Sequence, residues 1–231
     1  MITLETRAAL EPLNAEEFVA STLADPADGV ACLTSSLQVE DMVVLHLLRQ
    51  HRPDLPVIFL DTGYHFAETY AYRDKIVRDW NLRFVNMQPE LTVAQHEAKN
   101  GLQYLVDPTA CCGSRKVGPL LRSLEPFDLW FTGLRREQSP TRANLKKVEE
   151  HHLPNGKRLW KLSPLADWTW EQVWAYTRAH NIPHLPLYDQ GYTSIGCEPC
   201  TQRSEDPNNA RAGRWGGKKL ECGIHTFDEA K

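Results

Sequence analysis

No run of eighteen apolar residues occurs in this 231-residue sequence, so no segment of it reads as a membrane-spanning helix. The opening Met1-Ile2-Thr3-Leu4-Glu5-Thr6-Arg7 lacks a basic stretch followed by an apolar one, and reads as no secretory leader. Excess positive charge is also missing. The net charge of -4 argues against a general nucleic-acid binder, though it leaves room for a local basic site. There is no internal repeat, no low-complexity segment and no Walker signature. Cysteine is sparse and unevenly placed, with six in the chain. Without a leader, such cysteines read as cytoplasmic thiols, metal ligands or catalysts rather than as a disulfide framework. The 42% hydrophobic content is enough for a real core, and the length suits one domain or a domain with an appendage.

The cysteines are arranged for chemistry. Ile195-Gly196-Cys197-Glu198-Pro199-Cys200 is a tight turn that points two thiols at one place. About 85 residues upstream stands an adjacent pair, Cys111-Cys112. Neighbouring Cα atoms are about 3.8 Å apart, whereas unstrained disulfides need roughly 4.4–6.8 Å. The pair is therefore not expected to bridge itself. Four thiolates suit zinc or an iron–sulfur cluster, and ligand softness does not choose between them. Cys222, in Glu221-Cys222-Gly223-Ile224-His225, remains for chemistry. Lys218, Lys219, His225, Arg211 and Arg214 surround it in sequence, a cationic setting that favours a thiolate. Cys32, inside the apolar run Val30–Leu33, reads as a core thiol.

Hydrophobic runs at Val30–Leu33, Val57–Leu60, Leu82–Val85 and Leu129–Phe131 read as strands. Helices are expected from Asn14 through Ala20, over Val39–His51, from Glu68 to Trp80, near Val93–Lys99, and from Asp167 or Thr169 to His180. Pro154-Asn155-Gly156 marks a hairpin between Val148–His151 and Leu159–Leu162. Strands alternating with helices predict an α/β fold with a parallel sheet. In such sheets ligands bind beyond the carboxyl ends of the strands. Three loops fall there: Ser35-Ser36, Asp61-Thr62-Gly63, and Gly133. The first is a hydroxyl-rich turn between strand and helix, an arrangement that suits phosphate. After Gly133, Arg135, Arg136 and Arg142 supply forks that match phosphate or sulfate oxygens. Between Cys112 and Arg122 a short helix is expected, broken near Gly118-Pro119, with Lys116 on the face of Cys112. Trp168, Trp170 and Trp174 read as core anchors.

These motifs, in order, resemble the assimilatory adenosine 5′-phosphosulfate (APS) reductases of the sulfonucleotide reductase family. The matching features are Cys111-Cys112, Ser194-Ile195-Gly196-Cys197-Glu198-Pro199-Cys200, Arg211-Ala212-Gly213-Arg214-Trp215 and Glu221-Cys222-Gly223-Ile224-His225. The resemblance runs from about Ala31 to His225. It implies a twisted parallel sheet flanked by helices, of the adenine-nucleotide alpha-hydrolase (PP-loop) type. The pyrophosphatase loop at Ser35-Ser36 is modified and lacks the glycine pair of ATP-cleaving relatives. A nucleotide- and cluster-binding domain over 1–209 and a mobile tail over 210–231 are expected. A [4Fe–4S] cluster would sit on Cys111, Cys112, Cys197 and Cys200, with Lys116 between cluster and substrate. Cys222, assisted by Lys116 and His225, would attack the sulfur of APS. Ser35, Ser36, Asp61, Thr62, Gly63, Gly133, Arg135, Arg136, Arg142, Arg211 and Arg214 would hold the nucleotide. Thioredoxin or glutaredoxin would release sulfite from the enzyme. The reading involves neither nucleic acid nor membrane, and it leaves room for a homo-oligomer.

Three alternatives stand beside this. One is a reductase of the 3′-phosphorylated nucleotide (PAPS) or of both nucleotides. Another is an ATP-pyrophosphatase that thiolates or amidates, which the missing Ser-Gly-Gly-type loop opposes. The third is a zinc-stabilised binding module, which would leave Cys222 and the arginine loop without a task.

Overall fold

The computed structural model describes residues 4–24, 29–204, 211–217, 219, 221, 223 and 224. Two helices, α1 (Leu4–Leu10) and α2 (Ala15–Leu23), precede strand β1 (Ala31–Thr34). Then follow α3 (Val39–Arg49), β2 (Val57–Leu60), α4 (Ala67–Asp79), β3 (Phe84–Met87), α5 (Val93–Asn100), α6 (Gln103–Val106), α7 (Pro108–Cys112) and α8 (Gly118–Leu124). The chain continues through β4 (Leu129–Phe131), β5 (Val148–His152), β6 (Arg158–Leu162) and α9 (Trp170–Ala179).

Local sequence explains most boundaries. Asn14, Thr92 and Thr169 each accept the backbone N–H three residues on, and Glu17, Gln95 and Gln172 return the bond. Such reciprocal caps satisfy amides that the first helical turn leaves without partners. Of the two possible starts for the last helix, Thr169 is therefore the cap.

The sheet order is β3-β2-β1-β4-β6-β5. All pairs are parallel except β5 with β6, so the hairpin adds an antiparallel edge. Strand β3 begins two residues later than its apolar run, at Phe84. Alternation along the central strands feeds two cores. Leu33, Val57, Phe59, Leu129 and Phe131 face the α2–α3–α9 side. Cys32, Ile58 and Trp130 face Leu120 and Leu124 of α8. Period-two side-chain alternation makes this division unavoidable once both faces are covered. Trp130 is fully buried, and its indole N–H donates to Thr34 Oγ1 at 2.7 Å. Truncating it to alanine costs about 3–5 kcal/mol by analogy with other core aromatics. Burial pushes the Cys32 thiol far above its ordinary range, as befits a core residue.

Strand order reverses at β1, which has β2 on one side and β4 on the other. The loops leaving β1 and β4 diverge there and leave a crevice at their carboxyl ends.

Candidate active site

The crevice is a cleft of about 160 Å³, bordered by residues 34–36 and 132–135 from these loops. The β1 loop makes its turn without glycine. Leu37 holds φ at 61°, in the left-handed region, while its side chain is fully buried. That conformation costs about 1–2 kcal/mol, and burying a leucine returns about 1.5–3 kcal/mol.

Three amides of this turn are engaged by the protein itself, those of Ser36, Leu37 and Val39. Asp41 Oδ2 accepts the Ser36 N–H at 2.6 Å and the Ser36 hydroxyl at 2.7 Å. Ser35 Oγ accepts the Leu37 N–H at 3.0 Å, and Tyr188 Oη accepts the Val39 N–H at 3.3 Å. Asp41 also accepts the Gly133 N–H. Burial raises the Asp41 carboxyl to about 6 although its hydrogen bonds pull the other way. Gly133 is glycine for a packing reason, since a Cβ there would lie 2.4 Å from Asp41 Oδ1. Ser35, Ser36 and Gly133 thus do border the cleft, as expected from sequence.

The arginines divide. Arg142, Arg211 and Arg214 line the cleft. Arg142 meets Glu221 in a two-pronged pair, Nε to Oε1 at 2.9 Å and Nη2 to Oε2 at 2.6 Å. Arg211 and Arg214 lie over the Trp215 ring at 5.6 and 4.5 Å. Arg135 borders the cleft but is buried, and it is held by Glu40 at 3.0 Å and Glu137 at 2.7 Å. Its fork is therefore engaged in holding the β4 loop to α3. Arg136 is not among the residues bordering the cleft. Its Nε donates to Leu145 O at 2.7 Å, and it pairs with Glu11. Arg136 is thus the one arginine of the expected set that this structure places away from the cleft. Sequence spacing alone does not say which way an arginine in a turn points.

The β2 loop makes contacts of its own away from the cleft. Asp61 accepts from Tyr70 Oη at 2.8 Å, Asn86 Nδ2 at 3.1 Å and the Gly63 N–H at 3.0 Å. It is a buried hub of the β2–β3 rim, not a wall of the cleft. Burial acts to raise its carboxyl, but these hydrogen bonds hold it below the ordinary range. Thr62 turns toward the cysteines: its Oγ1 lies 3.3 Å from Cys197 Sγ. A Cβ on Gly63, at φ 77°, would meet Val93 at 2.6 Å.

Cys111, Cys112, Cys197 and Cys200 border one small void together with Arg115 and Lys116. All four are free thiols. Asp107 caps α7 by accepting the Thr109 and Ala110 amides, which sets Cys111 and Cys112 at its end. The other pair arrives because the Glu198 N–H donates to Tyr64 O at 2.7 Å and Cys197 bridges His65. Between α7 and α8 the chain does not break. It widens into a π turn, Gly113–Val117, closed by the Gly118 N–H on Gly113 O. Pro119 lacks an N–H and its ring needs room four residues back, which a wide turn supplies. The same turn alters the simple four-residue spacing of Lys116 from Cys112. The Lys116 ammonium instead hydrogen-bonds Cys197. Burial would raise the Cys197 thiol, but Lys116, Thr62 and Arg214 bring it below its ordinary range. Burial and the neighbouring thiols push Cys111 up to about 12. Burial, followed by Cys197, pushes Cys200 up to about 11. Lys116 borders both the void and the cleft, and so does Trp215.

Residues 31–203 match the model of the phosphoadenosine phosphosulfate reductase domain. The chain belongs to that family. It is 44% identical over 193 residues to an adenosine 5′-phosphosulfate reductase of Geobacillus thermodenitrificans, covering 82% of this chain and 81% of that one. An adenosine 5′-phosphosulfate reductase of Streptomyces coelicolor is 42% identical over 224 residues, 96% of this chain and 90% of the relative. A crystal structure of phosphoadenylyl-sulfate reductase from Candida auris, in a phosphate complex, shares the fold. Its TM-score is 0.73 at 23% identity, over 87% of this chain and 98% of that one.

In this member of the reductase family, sequence reasoning missed Asp41, Trp215 and Trp170 as residues of the site. Trp170 borders the cleft beside Arg135 rather than serving only as a core anchor. The acidic residue two places after Val39 was the available signal for Asp41. Cys222 and His225 lie outside the described residues. Among the described residues no three His, Cys, Asp or Glu side chains stand at the spacing of ligands to one metal ion. No described helix is long and apolar enough to cross a membrane.

Proposed function

We propose that this chain reduces adenosine 5′-phosphosulfate to sulfite and AMP, with a thioredoxin- or glutaredoxin-type dithiol as reductant. The observation that carries this reading is Lys116, a buried cation bordering both the cysteine void and the nucleotide cleft. Family membership and the relatives' names support it.

The donor set fits an iron–sulfur cluster on Cys111, Cys112, Cys197 and Cys200. Four reduced thiols border one void, two cations border it with them, and burial disfavours a free thiolate at Cys111 and Cys200. One zinc ion, at about 2.3 Å from each sulfur, would draw the four closer than a cubane whose thiolates sit on separate irons. Such a cluster, when bound, supplies a fixed, polarisable charge beside Lys116. The remaining chemistry belongs to the chain. Lys116, Arg142, Arg211 and Arg214 neutralise the phosphosulfate and orient its sulfur. The Cys222 thiolate attacks that sulfur, forming an S–S bond. The bond from sulfur to the bridging phosphate oxygen breaks, and AMP leaves with the electron pair. The product on the enzyme is an S-sulfocysteine. A thiolate of the reductant attacks Cys222 Sγ and expels sulfite, and its second thiol closes a disulfide and regenerates Cys222. Residues 210–231 act as a tail that brings Cys222 to the nucleotide and then presents it to the reductant. His225 adds positive charge beside the thiolate.

The test is sulfite release with reduced thioredoxin in excess and each nucleotide in turn. APS is expected to exceed PAPS at least tenfold in kcat/KM. Without reductant, mass spectrometry should find a sulfonate adduct on Cys222. No sulfite from either nucleotide defeats the reading, and an adduct on Cys32 defeats the assigned nucleophile.

A further inference from the structure

We infer that Tyr64 and Tyr104 are positioning residues of the cysteine void, an aromatic wall that keeps water and small solutes from the metal centre held by the four thiols. The inference rests on the proposed cluster at Cys111, Cys112, Cys197 and Cys200. It starts from the two sides of the void. On one side, Lys116 and Trp215 are shared with the cleft. Tyr64, Tyr104 and Pro108 border the void but not the cleft. Next to them in the chain the surface is open to solvent. Leu102, Leu105 and Val106 flank Tyr104 and are 46%, 54% and 80% exposed. On that side the two half-buried rings, with Pro108, separate the thiols from bulk water.

The wall is tied down from several directions. Tyr64 Oη donates to Glu97 Oε1 of α5 at 2.9 Å, and Glu97 is not among the residues bordering the void. The polar atom of Tyr64 is thus used elsewhere, and its ring is what borders the thiols. The Arg115 guanidinium lies over that ring at 5.0 Å, a favourable cation–π arrangement. Arg115 is itself buried, and it donates to Thr62 O at 2.7 Å and Leu91 O at 3.2 Å. The Tyr64 carbonyl accepts the Glu198 N–H at 2.7 Å, so the same residue seats the Cys197–Cys200 turn. Tyr104 meets Tyr64 edge-on, with ring centres 5.3 Å apart and planes at 69°. Aromatic pairs prefer such an arrangement. A phenylalanine at position 64 would fill the space without the tie to Glu97, so the hydroxyl adds a fixed orientation. The apolar shell around a metal site controls solvent access and local dielectric. Opening it gives water and chelators a path to the metal.

The experiment uses the full chain, purified without air and loaded with iron and sulfide. EDTA is added anaerobically, and the decay of visible absorbance gives the rate of metal extraction. Temperatures well below each Tm keep global unfolding out of the measurement. Tyr104→Ala should lose metal at least fivefold faster than wild type. Tyr104→Phe restores the ring and should match wild type. Leu105→Ala, an exposed position on the same turn, should match it too. Glu97→Leu cuts the tie and keeps both rings, and should lose metal at least twofold faster. An unchanged rate in Tyr104→Ala overturns the inference. Where that chain takes up no cluster, an unchanged rate in Glu97→Leu overturns it instead. Equal acceleration by Leu105→Ala also overturns it, because the turn rather than the ring would then govern access. The two failures are separable. A wild type that binds zinc, or no metal, defeats the cluster reading. A wild type loaded with iron and sulfide, whose variants all lose metal at its own rate, defeats the wall alone.

Discussion

Replacing Gly133 by alanine tests whether the β1 and β4 loops are held as closely as the structure shows. The new Cβ would stand 2.4 Å from Asp41 Oδ1, 2.9 Å from Asp41 N and 3.0 Å from the Glu40 carbonyl carbon. The first neighbour is a side chain and can rotate. The other two are backbone at the start of α3, so the helix end or the loop must shift. Overpacking at such a site costs about 1–3 kcal/mol. For a protein of this size each kcal/mol lowers Tm by about 2–4 °C. The expected fall is therefore roughly 2–12 °C, read by calorimetry. AMP affinity should fall with it, because the displaced groups are those that join the two loops. Asp41→Ala removes the nearest clash but not the backbone ones. The double variant should then be less than additive, with a coupling of about 0.5–3 kcal/mol. Gly113→Ala is the control, since a Cβ there meets nothing within 4 Å. It should be neutral or stabilising by up to about 1 kcal/mol. A Gly133→Ala protein with wild-type Tm and wild-type AMP affinity would refute the close approach.

Other outcomes follow from the same geometry. Arg135→Met strands the buried Glu40 carboxylate and should cost about 3–5 kcal/mol in denaturant unfolding. Arg136→Ala should cost less than about 1 kcal/mol and leave AMP binding intact. Arg142→Met strands the less deeply buried Glu221, so it should lose nucleotide affinity while costing less stability than Arg135→Met, and the reverse ranking of Arg135 and Arg142 would undo their assignments. The folded-state value of about 6 for Asp41 lies above the ordinary 3.8, so the folded chain holds that proton more tightly than the unfolded one. Wild type should accordingly lose stability relative to Asp41→Asn as pH rises from about 4 to about 6. A Tm difference that stays constant across that window contradicts the burial of the carboxylate. Replacing Cys111, Cys112, Cys197 or Cys200 by serine should remove iron, acid-labile sulfide and brown colour from anaerobically purified protein. A Cys197→Ser protein with full iron and sulfide would reject the ligand set.

Much of this molecule is legible locally. The strands Val57–Leu60 and Leu129–Phe131 match their apolar runs, because a strand buried on both faces must be apolar throughout. Asn14 and Thr169 announce their helices because a cap acts over three residues. The two cysteine pairs are visible because ligand spacing within a turn is also local. The sequence by itself therefore determined the strands, the caps, the reductase-family motifs and the identities of the four gathered thiols. Partner choice by long side chains was decided only by the tertiary structure. Arg135 reaches Glu40 across 95 positions of sequence, and Arg136 reaches Glu11 across 125. Asp61 faces a network from β3 and α4 rather than the cleft. Asp41 ties the β1 turn to the β4 loop, because α3 sets its carboxylate against Ser36 and Gly133. Charge and hydrogen bonding act between groups brought together in space, and only the folded sheet decides which groups those are.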